Sequence, residues 1–173
     1  EEGFFITGDA MSFVDPADPN RGMKFEGRIS EDFKLTSGTW VRAGQLRMEV
    51  LACLAPLAQD VVITGADRDE IGVMIFPNRE VLAEEGFEAG DQGGALSDPR
   101  LLSDIHRCLA ERALSISGSS SRIARAMVLA EPPSMAEGEM TAKGNLNFRK
   151  VLSRRADLLE RLYAGDDPCV TRI

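Results

Sequence analysis

A chain of 173 residues, 43% apolar and 28% charged, is long enough for one medium domain or for a small domain plus a fragment of another. Its formal net charge of −8 excludes a general binder of nucleic acid or of anionic membrane, whose affinity would come from excess Lys and Arg. ATP and coenzyme A stay open, because such ligands need only a local basic cluster.

In chain order, Phe4-Phe5-Ile6 reads as a short strand closed by the turn signal Thr7-Gly8-Asp9. A second strand, Met23 to Gly27, follows the turn-rich stretch from Asp15 to Gly22. Phe33-Lys34-Leu35 and Trp40-Val41 flank Thr36-Ser37-Gly38, the pattern of a tight hairpin. From Gly44, apolar Leu46, Val50, Cys53, Leu54 and Leu57 recur at helical spacing, with Pro56 near the end. The apolar runs 60–64 and 71–76 predict buried strands joined by the polar turn Gly65 to Glu70.

Residues 84–97 are acidic and glycine-rich and predict a surface loop. Asp98-Pro99 starts a helix, Asp as N-cap and Pro at its first position, with Leu102, Ile105, Leu109 and Ile116 as its core face. Gly118 to Ser121 breaks that helix, and Ala126 to Ala130 gives a third buried strand. Asn145 then caps a last helix to about Tyr163, with Leu152, Leu159 and Leu162 on one side. This order predicts an α+β fold: a β-hairpin, then a small mixed sheet of about three strands covered by helices.

Cys53, Cys108 and Cys169 have neither metal-ligand spacing nor a paired framework, which predicts buried or free thiols in a reducing cytoplasm. His106 is the sole histidine, so a His–Cys or His–Ser catalytic pair is not expected. No metal site, signal peptide or membrane-spanning run is apparent. The chain starts Glu1-Glu2-Gly3 without methionine and reads as a piece of a larger protein. Lys143 is a lone cation on a small turn-prone loop just ahead of the last helix. A helix start collects unpaired N–H groups, so a lysine there suits an anion grip, or is simply a solvated loop residue. Asp9 at a tight turn suits an Asx-type turn, or acceptance of hydrogen bonds from vicinal ribose hydroxyls. Arg28 suits a ribose or phosphate oxygen, or surface pairing with Glu31 and Asp32.

Three segments in this order, G-F-F-I-T-G-D (Gly3 to Asp9), G-R-I-S-E-D-F-K-L-T-S-G (Gly27 to Gly38) and G-E-M-T-A-K-G-N-L-N-F-R (Gly138 to Arg149), resemble the carboxyl-terminal region of the adenylate-forming enzymes. That superfamily holds the acyl- and aryl-CoA synthetases, luciferases and peptide-synthetase adenylation domains. The stretches D-P-A-D-P-N-R-G, F-K-L-T-S-G-T-W-V, S-S-S-R-I-A-R-A and T-A-K-G-N-L-N-F-R look most like feruloyl-CoA synthases within it.

The resemblance implies residues 1–28 as the tail of a large N-terminal AMP-binding domain, 29–31 as a hinge with Ser30 at its centre, and 32–173 as the mobile lid. It implies ATP, giving AMP, and coenzyme A as cofactors. Mg would be held mainly by the N-terminal domain, and the substrate would be a small carboxylic acid such as the hydroxycinnamate ferulate. Lys143 matches the lysine of adenylate formation, and Lys34 the lysine that enters the site after the domain rotates. Asp9 matches the ribose-binding aspartate and Arg28 the nucleotide-contacting arginine. Gly38, Thr39 and Trp40 match the coenzyme A passage, Trp40 suiting equally a hairpin-packing role. Departures are Ser30, where Asp or Lys is common, one extra residue between Lys34 and Gly38, and Gln45-Leu46-Arg47 in place of Glu-Ile-Glu. The phosphate loop and acyl pocket of such enzymes lie outside this chain, so the fragment alone is expected to be inactive. Two other readings remain: adenylation with delivery to a carrier protein or reductase domain, and a non-catalytic α+β interaction module.

Overall fold

The computed structural model describes residue 3 and residues 6–88, 90–116 and 118–173. Strands β1 (Asp9–Phe13) and β2 (Met23–Arg28) form an antiparallel hairpin, and a 3-10 turn over Ile29–Glu31 leads out of it. β3 (Phe33–Lys34) and β4 (Trp40–Val41) make the second, shorter hairpin. Then follow α1 (Ala43–Leu54), β5 (Ala58–Thr64), β6 (Ile71–Pro77), α2 (Arg79–Glu84) and α3 (Pro99–Leu114). The chain continues through β7 (Ile123–Val128), α4 (Phe148–Arg154), α5 (Ala156–Tyr163) and β8 (Val170–Arg172).

The main sheet has the order β5-β6-β7-β8, with β6 and β7 parallel and the other neighbours antiparallel. β6 is central, and every one of its residues is buried, which is why it reads as a continuous apolar run. Strand alternation divides its side chains between two layers. Ile71, Val73 and Ile75 pack with Val50 and Leu54 of α1 and Ile105 and Leu109 of α3. Met74 and Phe76 pack on the other face with Val151 of α4 and Leu162 of α5. The result is the expected α+β fold, one mixed sheet between helical layers.

Several expectations are corrected. Phe4 and Phe5 lie outside the described residues, Ile6 is exposed outside any strand, and the first strand begins at Asp9. The sheet has a fourth strand, β8, and a short helix, α2, was not anticipated. Residues 84–97 are not wholly a surface loop, because Ala95 and Leu96 are buried and Leu96 N donates to Val128 O at 2.8 Å. Ile116 falls beyond the end of α3, whose fully buried positions are Leu101, Ile105 and Leu109. The last helix is two helices, broken at Arg155, and its cap is Asn147, whose Oδ1 accepts from Lys150 N at 3.2 Å, not Asn145.

The cysteine expectation fails for two of three thiols. α1 and α3 pack side by side on one sheet face and bring Cys53 and Cys108 together in a disulfide, while Cys169 is free and buried. The cysteine pattern therefore no longer argues for a reducing compartment. No described helix is long and apolar enough to cross a membrane.

Candidate functional site

Asp9 and Arg28 are register partners at the open end of the β1–β2 hairpin, with Arg28 Nε 3.9 Å from Asp9 Oδ1. Asp9 therefore opens a strand instead of closing one. Both side chains keep substantial exposure, so the pair contributes little stability and each group can accept another partner. Gly8, at φ +75°, makes the turn into β1, and its carbonyl accepts from Ile29 N at 3.0 Å. That bond ties Asp9's neighbour to the 3-10 turn that carries Ser30.

After this turn Asp32 is anchored. Its Oδ1 accepts from Ala43 N at 3.0 Å, satisfying one free donor at the start of α1. Burial pushes the Asp32 carboxyl above the usual range, opposed by that backbone bond. Burial also pushes Glu31 up, against the pull of Arg47 and Arg28. The end of β2 meets α1 backbone to backbone. A Cβ on Gly27 would fall 2.6 Å from Gly44 Cα, so only glycines permit this contact.

Lys34 and Trp40 are cross-strand partners, and the Lys34 ammonium lies 5.6 Å from the indole centroid. Gly38, at φ +81°, closes the turn, with its N–H donating to Leu35 O at 2.9 Å, and open space lies where a Cβ would stand. The Gly65–Glu70 turn braces this hairpin: Asp67 N donates to Lys34 O at 3.2 Å and Thr36 N to Arg68 O at 3.0 Å. Lys34, Gly38, Thr39 and Trp40 thus share one supported surface loop.

Lys143 sits on a different hairpin. Met140 and Leu146 form its bridge, Thr141 N donates to Asn145 O at 2.9 Å, and Gly144 turns the chain at φ +80°. Lys143 is exposed and has no ion-pair partner among the described residues. The helix after it starts at Phe148, so the helix-start argument for Lys143 is corrected: its position comes from a hairpin, not from the N-terminus of a helix.

A crevice of about 820 Å³ runs between these parts, lined by Arg28, Ser30, Arg47, Gly144, Phe148 and Tyr163 among others. It joins the 3-10 turn that carries Ser30 to the foot of the Lys143 loop. Asp9, Lys143 and residues 34–40 do not line it, although Phe33 at the foot of the second hairpin does. The site residues expected from sequence therefore fall into three groups: Asp9 with Arg28 and Ser30, Lys34 to Trp40, and Lys143.

Sequence reasoning missed the residues that fix these groups. Arg47 grips Asp60 of β5 through two bonds of 2.9 and 2.8 Å and lies 5.5 Å from the Phe148 ring centroid, linking α1, β5 and α4. Tyr163 Oη accepts from Gly72 N at 3.0 Å and bonds Thr64 Oγ1 at 2.8 Å, while burial raises its phenol. Glu139 is fully buried against Arg155, whose bonds hold its carboxyl down at about 2. One signal was available for this last pair: Arg155 follows Val151 by four residues, on the core-facing stripe, where a buried cation demands a buried acid.

A mixed sheet between helices, entered through a hairpin and a short 3-10 turn, is the frame of a carboxyl-terminal domain of AMP-binding enzymes. More narrowly, residues 33–167 match the family described as AMP-binding enzyme C-terminal domain, and the chain belongs to that family. Probable acyl-activating enzyme 16, chloroplastic, of Arabidopsis thaliana is 25% identical over 174 residues, which covers 94% of this chain and 23% of that protein. The adenylation domain of a carboxylate reductase from Mycobacterium chelonae superposes with a TM-score of 0.70 at 21% identity, over 95% of this chain and 24% of that one. Anthranilate CoA ligase AuaEII, solved with anthranoyl-AMP, gives a TM-score of 0.53 at 19% identity, over 90% of this chain and 25% of that one. The two structural likenesses speak to fold alone, and this chain spans about a quarter of each relative's length.

Proposed function

We propose that this chain is the terminal part of an ATP-dependent acid–thiol ligase, with residues 1–28 ending a large AMP-binding domain, 29–31 as hinge and 32–173 as lid. In the first half-reaction a carboxylate oxygen attacks the α-phosphorus of ATP, forming the acyl-adenylate and releasing pyrophosphate. Lys143 supplies positive charge where carboxylate and phosphate oxygens converge. Arg28 and Asp9 serve the nucleotide, Arg28 as donor to phosphate or ribose and Asp9 as acceptor from ribose hydroxyls. In the second, a thiolate attacks the acyl carbon and AMP leaves. Lys34 then faces the site, and Gly38, Thr39 and Trp40 border the thiol's path.

The observation that carries this reading is that one small domain presents two exposed lysines, each on its own braced hairpin and neither in an ion pair among the described residues. A task needing two different cations at two stages, with rotation about 29–31 between them, accounts for that arrangement. Coenzyme A as thiol and a hydroxycinnamate as acid follow from the feruloyl-CoA synthase-like stretches. Delivery to a carrier or reductase domain is the second reading, favoured by the fold likeness to a carboxylate reductase adenylation domain.

In the full-length enzyme, Lys143→Ala should slow ATP-dependent adenylate formation by about two to three decades and spare thioester formation from pre-made acyl-adenylate. Lys34→Ala should do the reverse. Equal loss of both half-reactions in either variant would refute the two-lysine assignment. Coenzyme A and a phosphopantetheinylated carrier, offered as competing acceptors, separate the two readings of the thiol.

A further inference from the structure

Lys143 stands on a loop with few anchors of its own. Residues 141–145 are all exposed, so burial does not locate them. Thr141 N to Asn145 O and Gly144 N to Thr141 O, each 2.9 Å, set the loop's shape but not its place on the domain.

Its place is set at Glu139, next to the bridging residue Met140. The Glu139 main chain holds both flanks of the hairpin: its N–H donates to Ser134 O at 2.9 Å, and its carbonyl accepts from Asn147 N at 2.8 Å. Its side chain is fully buried and accepts from Arg155 Nε at 2.8 Å, Arg155 Nη2 at 2.9 Å and Ser134 N at 2.8 Å, with Arg154 Nη1 3.0 Å away. Arg155 in turn donates to Glu131 O at 3.0 Å and Pro132 O at 2.9 Å, and its guanidinium lies 5.0 Å from the ring centroid of Phe76 on β6. A continuous path therefore runs from the central strand, through Arg155 and Glu139, to the foot of the Lys143 loop. The break between α4 and α5 falls at Arg155 itself.

A buried ion pair is a poor source of stability compared with apolar packing of the same volume. What a two-bonded guanidinium–carboxylate fork adds is fixed orientation. The geometry points to Glu139 and Arg155 as positioning residues for Lys143, a buried fork that locks the hairpin to the sheet so that the ammonium arrives in register with the reacting oxygens. This rests on the role proposed above for Lys143.

The test uses the full-length enzyme with Arg155→Lys, which keeps the charge and loses the fork, and Glu139→Gln, which keeps the shape and loses the charge. Each is made with Lys143 present and in a Lys143→Ala background. Adenylate formation, thioester formation from pre-made adenylate, and Tm are measured for each. A misplacement of about 1 Å costs on the order of 100-fold, so adenylation should fall about 10- to 100-fold with Lys143 present. Thioester formation should stay within about twofold, and the Lys143→Ala background should show no further loss. A further loss in that background, or an equal fall in both half-reactions, would mean a purely structural role and overturn the inference. Should Glu139→Gln fail to fold, Arg155→Lys decides. If Lys143→Ala abolishes adenylation while both fork variants leave it intact, this inference alone falls. If Lys143→Ala leaves adenylation intact, the proposed role of Lys143 fails and the inference with it.

Discussion

Replacing Gly27 or Gly44 by alanine perturbs the one place where the end of β2 touches α1 without side chains. A Cβ on Gly44 would lie 2.6 Å from Gly27 Cα and 3.2 Å from Arg28 N, and a Cβ on Gly27 would lie 2.6 Å from Gly44 Cα. Carbon atoms rest at roughly 3.5–4.0 Å, so the backbones must part by about 1 Å. Overpacking of this kind costs about 1–3 kcal/mol. For Gly44→Ala, part of that is offset by the helix preference for Ala over Gly, at most about 1 kcal/mol and less near a helix start. Gly27 sits at φ +115°, so its alanine adds backbone strain of about 1–3 kcal/mol. Gly27→Ala should therefore lose about 2–6 kcal/mol and Gly44→Ala about 0–3 kcal/mol. At about 2–4 °C per kcal/mol for a chain of this size, Gly27→Ala should lower Tm by about 4 °C or more. Thermal unfolding of the 173-residue chain measures this, and trypsin cleavage after Arg28 reports whether the β1–β2 hairpin has swung away from α1. Unchanged melting of Gly27→Ala, with unchanged resistance at Arg28, would show that the close approach does not exist in solution.

Other outcomes can be checked on the same chain. Tyr163→Phe leaves the Gly72 N–H without its acceptor and should cost about 1–3 kcal/mol, read from the urea midpoint. Asn147→Ala removes the α4 cap and should cost about 1 kcal/mol by the same measurement. Glu139 titrates at about 2 in the fold against 4.5 ordinarily, a depressed carboxyl. Its stabilisation is complete above pH 4.5 and drains away as the pH falls towards 2, by about 3 kcal/mol. Urea midpoints at acidic and neutral pH should diverge less in Glu139→Gln than in the parent. The 173-residue chain alone should turn over no ATP, and robust ligation by the purified fragment would contradict the division of labour proposed here.

The features legible in the sequence were those governed by local chemistry. The Asp98–Pro99 helix start, the run 71–76 and the Phe33–Val41 hairpin each carry their own signal, and each stands where expected. The final helix was misread because period alone cannot show a break. Arg155 keeps helical spacing while its backbone leaves the helix at ψ +33° to reach a buried glutamate. The three-residue strand β8 has no pattern long enough to detect, and the Cys53–Cys108 bond depends on two helices meeting from residues 55 apart. Motif order singled out Asp9, Arg28, Lys34 and Lys143 as candidates, but not the groups that hold them. Glu139 lies inside the quoted segment Gly138 to Arg149 and looks there like a solvated acid, because its partner is 16 residues away.

The matched family region stops at residue 167, and β8 follows it. That short strand pairs Val170, Thr171 and Arg172 with Met127, Ala126 and Arg125 of β7, and Ile173 N donates to Ala124 O at 3.0 Å. Without it, one side of a largely buried strand would present a row of unpaired N–H and C=O groups, a template for joining another chain edge to edge. β8 takes up that row and offers little of its own in exchange: three residues long, with Arg172 reaching out to Gly165 O at 3.2 Å. A chain cut at residue 167 would also lose Cys169, fully buried in the layer with Met74 and Phe76, so it should melt lower as well as self-associate along the bared edge of β7.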